Sequence, residues 1–329
     1  MNYHYIVCCT PYFGDSWQWF AAQLDGGSPQ QWLFFNDKPQ SAIEKIRKPN
    51  LSMVRASLQA VQTAKRLNAK LLITHDPRVT FWCALFANLL QLKTEHIAYS
   101  FNFPELPRGL KYHWMKWAFA INVRQFIIYS KMEKQLYSDY FNIPIDRFEV
   151  VLWSVGTPTV QPDTPLEAGD YICAIGGNAR DYATLMTAMS RLPDIPLVAI
   201  VRNNSLTHID VPPNVRVHVE LPTPHAMNIL QHSRFMVLPL KGTEVPCGHV
   251  TLVAAMHLGK AFVITNSTGV SDYALHDHNS LTCKAFNADA LADAIQHLWQ
   301  DPGKAEQLGA NGKHFAQQQC SEASARQHL

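Results

Sequence analysis

Short apolar runs alternate with amphipathic segments along almost the whole chain. Strand-like runs rich in Ile, Val, Leu and aromatic residues fall at 3–9, 31–35, 70–75, 95–100, 125–130 and 148–153. The segments between them carry helical spacing. In 51–67, Met53, Val54, Leu58, Val61, Ala64 and Leu67 mark one predicted face. Buried strands separated by helices predict a parallel sheet covered on both sides. The proline-rich stretch 154–169, SVGTPTVQPDTPLEAG, breaks the periodicity and reads as a linker. After it the alternation resumes, with strands at 171–176, 195–201, 215–220, 234–240 and 260–265. Helices are predicted at 181–191, 249–259, 287–299 and 301–315. The expected architecture is α/β: two Rossmann-like parallel-sheet domains, 1–153 and 170–329, joined by 154–169. Such domains bind ligands at the C-terminal ends of their strands, here at a cleft between the two sheets.

Length and composition agree with two globular domains: 329 residues, 47% apolar and 16% charged. No uncharged apolar stretch reaches the length of a membrane span. The start MNYHYIVCC lacks a basic segment and a cleavage site, which reads as the absence of a signal peptide. Seven cysteines without framework spacing read as reduced thiols in the cytoplasm. Charge is uneven, with 17 Lys and Arg against 11 Asp and Glu in residues 1–160. That excess points to an anionic partner for the first half, or to a chance scatter of surface charge. No GxGxxG follows the first strand, which argues against a dinucleotide dehydrogenase. No aromatic-basic module motif is present, so a nucleic-acid partner is not expected.

One stretch carries a family likeness. LPLKGTEVPCGHVTLVAAMHLGKAFVITNSTGVSDY (238–273) resembles the retaining glycosyltransferases of family 4, the glycosyl transferases of group 1. A strand ends in Leu-Pro, a Gly-led helix carries Ala-Met, and Gly-Lys precedes the next strand. Gly269, Val270 and Asp272 fit the tail of the pattern. GNARDYATLM (177–186) resembles the loop in which a basic residue meets the donor diphosphate. The first half, in 74–78, 98–109, 127–130 and 150–158, is similar in order and spacing more than in identity. The resemblance implies the GT-B fold and transfer of a sugar from a UDP- or GDP-linked donor to a glycan or lipid-linked acceptor, in polysaccharide or cell-envelope glycan synthesis. It implies no cofactor beyond that nucleotide-sugar co-substrate, and no bound metal.

The chemistry of a diphosphate suggests its receptors: backbone amides at a helix N-terminus, plus Arg or Lys. Gly248, His249 and Val250 begin a predicted helix, and Thr251 adds a hydroxyl in its first turn or simply caps it. The resemblance places the diphosphate cation at Arg180, with a surface ion pair as the alternative; Lys241 and, more weakly, Arg202 are further cations. Gly14, after the first strand, either lets that loop approach the donor or simply makes a turn. The family usually shows two glutamates eight residues apart, one for the donor sugar and one for the ribose. Here the second position is Ala254 and the first Pro246, so Glu244 is the carboxylate that could take the sugar-facing role. The family's first-domain histidine aligns with Asn102, which can hydrogen-bond a hydroxyl but cannot act as a base. With so little left for a protein base to do, catalysis would rest on positioning and on stabilising the leaving diphosphate.

The segment RGLKYHWMKWAFAINVR (108–124) mixes Arg108, Lys111, Lys116 and Arg124 with Trp114, Trp117 and Phe119. Basic and aromatic residues on one helix suit an anionic membrane surface and a peripheral position on the inner face of the membrane. The alternative buries the tryptophans in the core. His75 reads equally as a loop-fixing residue, and His276–His278 as a solvated loop rather than a metal site. The departures at Ala254 and Asn102 keep a second reading open, a non-catalytic GT-B scaffold or nucleotide-sugar-binding protein. A nucleotide-sugar epimerase is a third, less well matched by 238–273.

Overall fold

The computed structural model describes residues 4–12, 30–45, 50–103, 105–244 and 247–325. They form two compact units, Met1–Val151 and Leu152–Leu329.

In the first unit, strands β1 (His4–Thr10), β2 (Gln30–Asn36), β3 (Leu71–His75), β4 (Glu95–Tyr99), β5 (Gln125–Ile128) and β6 (Phe148–Val150) pair in the order β2-β1-β3-β4-β5-β6. Every pairing is parallel. Helices α1 (Leu51–Arg66), α2 (Pro77–Leu89), α3 (Gly109–Asn122) and α4 (Lys131–Phe141) supply crossovers. Alternation along β1 splits the core in two. Val7 and Cys9 pack with α1 and α2, while Ile6 and Cys8 pack with Ile73, Tyr99 and Ile127. The buried side of α1 is rotated relative to the one the sequence suggested. Met53, Val61 and Ala64 are buried as expected, but Ser52, Ala56, Ser57 and Ala60 complete the face, and Val54, Leu58 and Leu67 are half-exposed. Small residues on that face allow α1 to lie against the sheet and against Cys83 and Ala87 of α2.

The second unit holds β7 (Ile172–Ile175), β8 (Leu197–Val201), β9 (Val215–Val219), β10 (Met236–Leu238), β11 (Phe262–Thr265) and β12 (Leu281–Cys283). Their order is β12-β11-β10-β7-β8-β9, again all parallel. This is a doubly wound sheet whose order reverses between β7 and β10. Its helices are α5 (Tyr182–Met189), α6 (Thr223–His232), α7 (His249–His257), α8 (Ala288–Gln300), α9 (Pro302–Gln319) and the short α10 (Glu322–Ala325). Cys173 and Ile175 face one core with α7, while Ile172 and Ala174 face the other with α5 and α8. The edge strand β12, only three residues long, was not legible in the sequence.

The proline-rich segment 154–169 lies along the second unit rather than standing free. Val155 N–H donates to Cys320 O, and Gln161 N–H to Pro224 O. The buried Asn228 side chain holds it further, accepting from Leu166 N–H and donating to the carbonyls of Pro162 and Thr164. No helix of the described residues is long and apolar enough to cross a membrane.

Candidate functional site

The reversal between β7 and β10 is where a doubly wound sheet opens a crevice. The residues that follow these two strands are joined there. Arg180 forms an isolated antiparallel bridge with Leu240, Asp181 N–H donates to Pro239 O at 3.0 Å, and Lys241 N–H donates to Ala179 O at 3.0 Å. Helix α7 starts in the same place, after the loop that leaves β10. Gly248 is its N-cap residue, with φ 107° and no side chain to cap the first turn. An added Cβ would press on Leu238 Cδ2 and Leu240 Cδ2 and come within 3.8 Å of Arg180 Nη1. Glycine is therefore required by both backbone and space.

Arg180 is the centre of this arrangement. It is only 6% exposed. Its Nε donates to Ile175 O at 3.3 Å, Nη1 to Asn178 O at 2.9 Å and Nη2 to Thr251 Oγ1 at 3.4 Å. A guanidinium has five N–H donors, so two remain without an acceptor among the described residues. No carboxylate among the described residues pairs with it. Neighbouring Asp181 instead caps α5, accepting from Thr184 N–H at 3.1 Å and Thr184 Oγ1 at 2.6 Å. Burial pulls the Arg180 pKa below its ordinary value, and the nearby Arg202 cation adds to that. The alternative of a surface ion pair does not hold. Arg202, exposed at the end of β8, donates to Asn178 Oδ1 at 2.7 Å, and Lys241 is exposed beside the bridge. Arg202 and Lys241 thus flank the 176–180 loop that carries Arg180.

The other predicted residues of this half divide. His249 is buried, its Nε2–H donating to Gly269 O at 2.8 Å and its ring 4.8 Å from that of Tyr273. Burial lowers its pKa to about 4, so the ring is neutral near pH 7. His249 therefore positions the turn at 267–270 against α7, and its ring is not a cation for a ligand. Val250 is 60% exposed in the first turn. Glu244 is exposed on the loop after β10, next to Thr243, whose carbonyl accepts from Thr268 N–H. Ala254 is buried in the core. In the 276–278 loop, His276 Nδ1 accepts from Thr282 N–H and Asp277 pairs with Lys304, and no cluster of metal-ligating side chains occurs among the described residues. Gly14 lies outside the described residues.

In the first unit the C-terminal ends of β3, β4 and β5 gather a polar cluster. His75 Nε2 and Ser100 Oγ are 2.7 Å apart, and Ser100 Oγ also meets Tyr129 OH. Burial depresses the His75 pKa to about 3. Asn102 donates from Nδ2 to Glu133 Oε1. Glu133, fully buried, also accepts from Tyr137 OH, Ser130 Oγ and Tyr129 N–H. Desolvation raises its pKa, against the pull of these four donors. Sequence reasoning missed Glu133, although Ser130-Lys131-Met132-Glu133 has the capping-box spacing, and Ser130 does cap α4. Helix α3 exposes Arg108, Lys111, Trp114 and Trp117, with Lys116 half-buried over the Tyr112 ring.

Residues 203–315 match the model of the family "Glycosyl transferases group 1". No curated protein matches the chain. Solved structures match across its whole length. A glycosyltransferase from Rickettsia africae superposes with TM-score 0.73 at 11% identity, covering 100% of this chain and 97% of that one. A sucrose-phosphate synthase from Thermosynechococcus elongatus gives 0.74 at 14%, covering 99% and 97%. HepE from Anabaena, in complex with UDP-glucose, gives 0.69 at 12%, covering 98% and 97%. At such identities the likeness is one of fold. Residues 203–315 are thus similar to the glycosyl transferases of group 1, and the two doubly wound parallel sheets, with these structural neighbours, show the GT-B fold.

Proposed function

We propose that this glycosyltransferase is a retaining enzyme that takes a sugar from a UDP-linked donor and passes it to a glycan or lipid-linked acceptor. The observation that carries this reading is Arg180: a buried guanidinium with unused donors and no carboxylate partner among the described residues, beside the uncapped start of α7. A buried cation left uncompensated is costly unless a ligand supplies the anion. A nucleoside diphosphate does so. Arg180, Thr251 and the amides at Gly248–Val250 would hold the diphosphate, with Lys241 and Arg202 adding positive charge at the rim. As the glycosidic bond breaks, negative charge grows on the departing diphosphate, and these fixed groups stabilise it without rearranging. Glu244 is the candidate partner for the donor sugar's hydroxyls. The choice of UDP draws on HepE, whose solved complex contains UDP-glucose. We propose no cofactor beyond the co-substrate, and a role in cell-envelope or polysaccharide synthesis.

A second reading is favoured by two positions. Ala254 offers no side-chain acceptor for a ribose, and the Asn102 amide is engaged by Glu133. On that reading the protein binds a nucleotide sugar without turning it over. Release of UDP from a panel of UDP-sugars, with and without glycan acceptors, separates the two. Turnover by the native chain that is lost in Arg180→Ala supports transfer. Binding of UDP without release from any sugar favours the non-catalytic reading, and neither binding nor release sinks both.

A further inference from the structure

Helix α3 leaves a continuous apolar stripe in solvent. Leu110, Trp114, Trp117 and Ile121 recur at the helical spacing i, i+4, i+7, i+11 and are 80%, 55%, 42% and 61% exposed. The two indole rings meet edge to face, with centroids 6.2 Å apart. Only Met115, Ala118 and Phe119 of this helix are buried, in the aromatic core with Phe101 and Phe126. The stripe is therefore a second apolar face, and contiguous exposed faces of this kind mark interaction sites. Basic residues border it: Arg108 and Lys111 on the first turn and Lys116 one turn on. No acidic residue occurs from 106 to 132. Arg124 is excluded from this set because it pairs with Glu95. The far end of the helix is fixed by Arg147, whose guanidinium donates to the carbonyls of Phe119 and Ala120.

We infer that α3 is an interfacial anchor that seats the first domain on an anionic lipid surface, independently of the reaction proposed for the second. Tryptophan and leucine side chains would enter the headgroup boundary, and Arg108, Lys111 and Lys116 would meet lipid phosphates. Charge selects this occupant over a second copy of the chain. Two copies pairing this face across a two-fold axis would set the same cations against each other without a carboxylate on the helix to answer them.

The test is co-sedimentation of the full chain with vesicles of phosphatidylcholine alone and with about a third phosphatidylglycerol. Binding to the anionic vesicles only, weakened by salt and accompanied by a blue shift of tryptophan emission, is the expected result. Trp114→Ser with Trp117→Ser, and separately Lys111→Glu with Lys116→Glu, should each lower the bound fraction about tenfold or more. Both pairs should keep the native circular dichroism and melting temperature, because the replaced side chains lie outside the core. Absence of binding to anionic vesicles overturns the inference, as does equal binding by well-folded variants. A concentration-dependent dimer that these substitutions disperse would overturn it too, by giving the stripe to a second copy.

Discussion

The Nη2 of Arg180 lies 3.4 Å from Oγ1 of Thr251, joining the loop after β7 to the first turn of α7. That contact puts a buried cation and a helix N-terminus on the same few ångströms of space, at the point where the second sheet reverses its order. If the cation is there for a ligand, it adds little to the empty protein. Arg180→Met should therefore leave the unliganded melting temperature unchanged or raise it, since a desolvated charge is replaced by an apolar chain of similar reach. Differential scanning calorimetry decides this. A large fall would assign Arg180 a structural role through its bonds to Ile175 O and Asn178 O.

Gly248 controls the approach to the same space. With φ at 107° and Leu238 Cδ2 3.2 Å from an added Cβ, Gly248→Ala should both strain the backbone and shift the first turn of α7. The expected cost is about 1–3 kcal/mol in a urea titration. Weakened nucleotide binding should accompany it, although Arg180 and Lys241 are untouched.

Glu133 tests the polar cluster of the first domain. Glu133→Ala would strand four donors, from Asn102, Tyr137, Ser130 and Tyr129, at a cost of about 3 kcal/mol or more. Glu133→Gln keeps one acceptor oxygen and should cost less than Ala. Equal losses in the two variants would contradict this, because Gln keeps both the volume and an acceptor oxygen that Ala lacks.

Buried histidines set the acid response. The pKa values of His75, His96 and His249 are lowered by burial to about 3, about 4 and about 4. The native state thus binds fewer protons than the unfolded chain below the ordinary histidine pKa of 6.5. Stability from these groups is complete above that value and is lost as pH falls toward 4. Glu133, with its raised pKa, acts in the opposite sense, losing its contribution as pH rises through its own titration. Melting temperatures should fall steadily on acidification from neutrality. His96→Gln should flatten the slope, because it removes one of the three groups; an unchanged slope would contradict the assignment.

Much of this fold was legible because the central strands of its second sheet are fully buried. Runs such as 195–201 and 260–265 need no partner to be recognised, and β8 and β11 lie within them. Where packing rather than periodicity decides, the reading failed. The buried face of α1 is built from Ser and Ala residues that carry little hydrophobic signal, and β12 is too short to show alternation. At the candidate site, Arg180 and Gly248 stand out in the sequence as a loop cation and a helix-leading glycine. Their juxtaposition depends on the bridge from Arg180 to Leu240, a contact between segments 60 residues apart that no local pattern encodes. The sequence reading of His249 concerned its backbone amide; the burial of its ring against Tyr273 is a tertiary contact that no local pattern encodes.

The central claim is that Arg180 holds a nucleoside diphosphate. Isothermal titration of the native chain and of Arg180→Ala with UDP, followed by GDP and ADP, addresses it most directly. Binding of UDP by the native chain should weaken about 10- to 100-fold in Arg180→Ala, the loss expected for hydrogen bonds to a charged group. Uridine, which lacks the diphosphate, should bind both proteins alike. Equal UDP affinity in a well-folded Arg180→Ala, or no binding of any of the three nucleotides to the native chain, would contradict the claim.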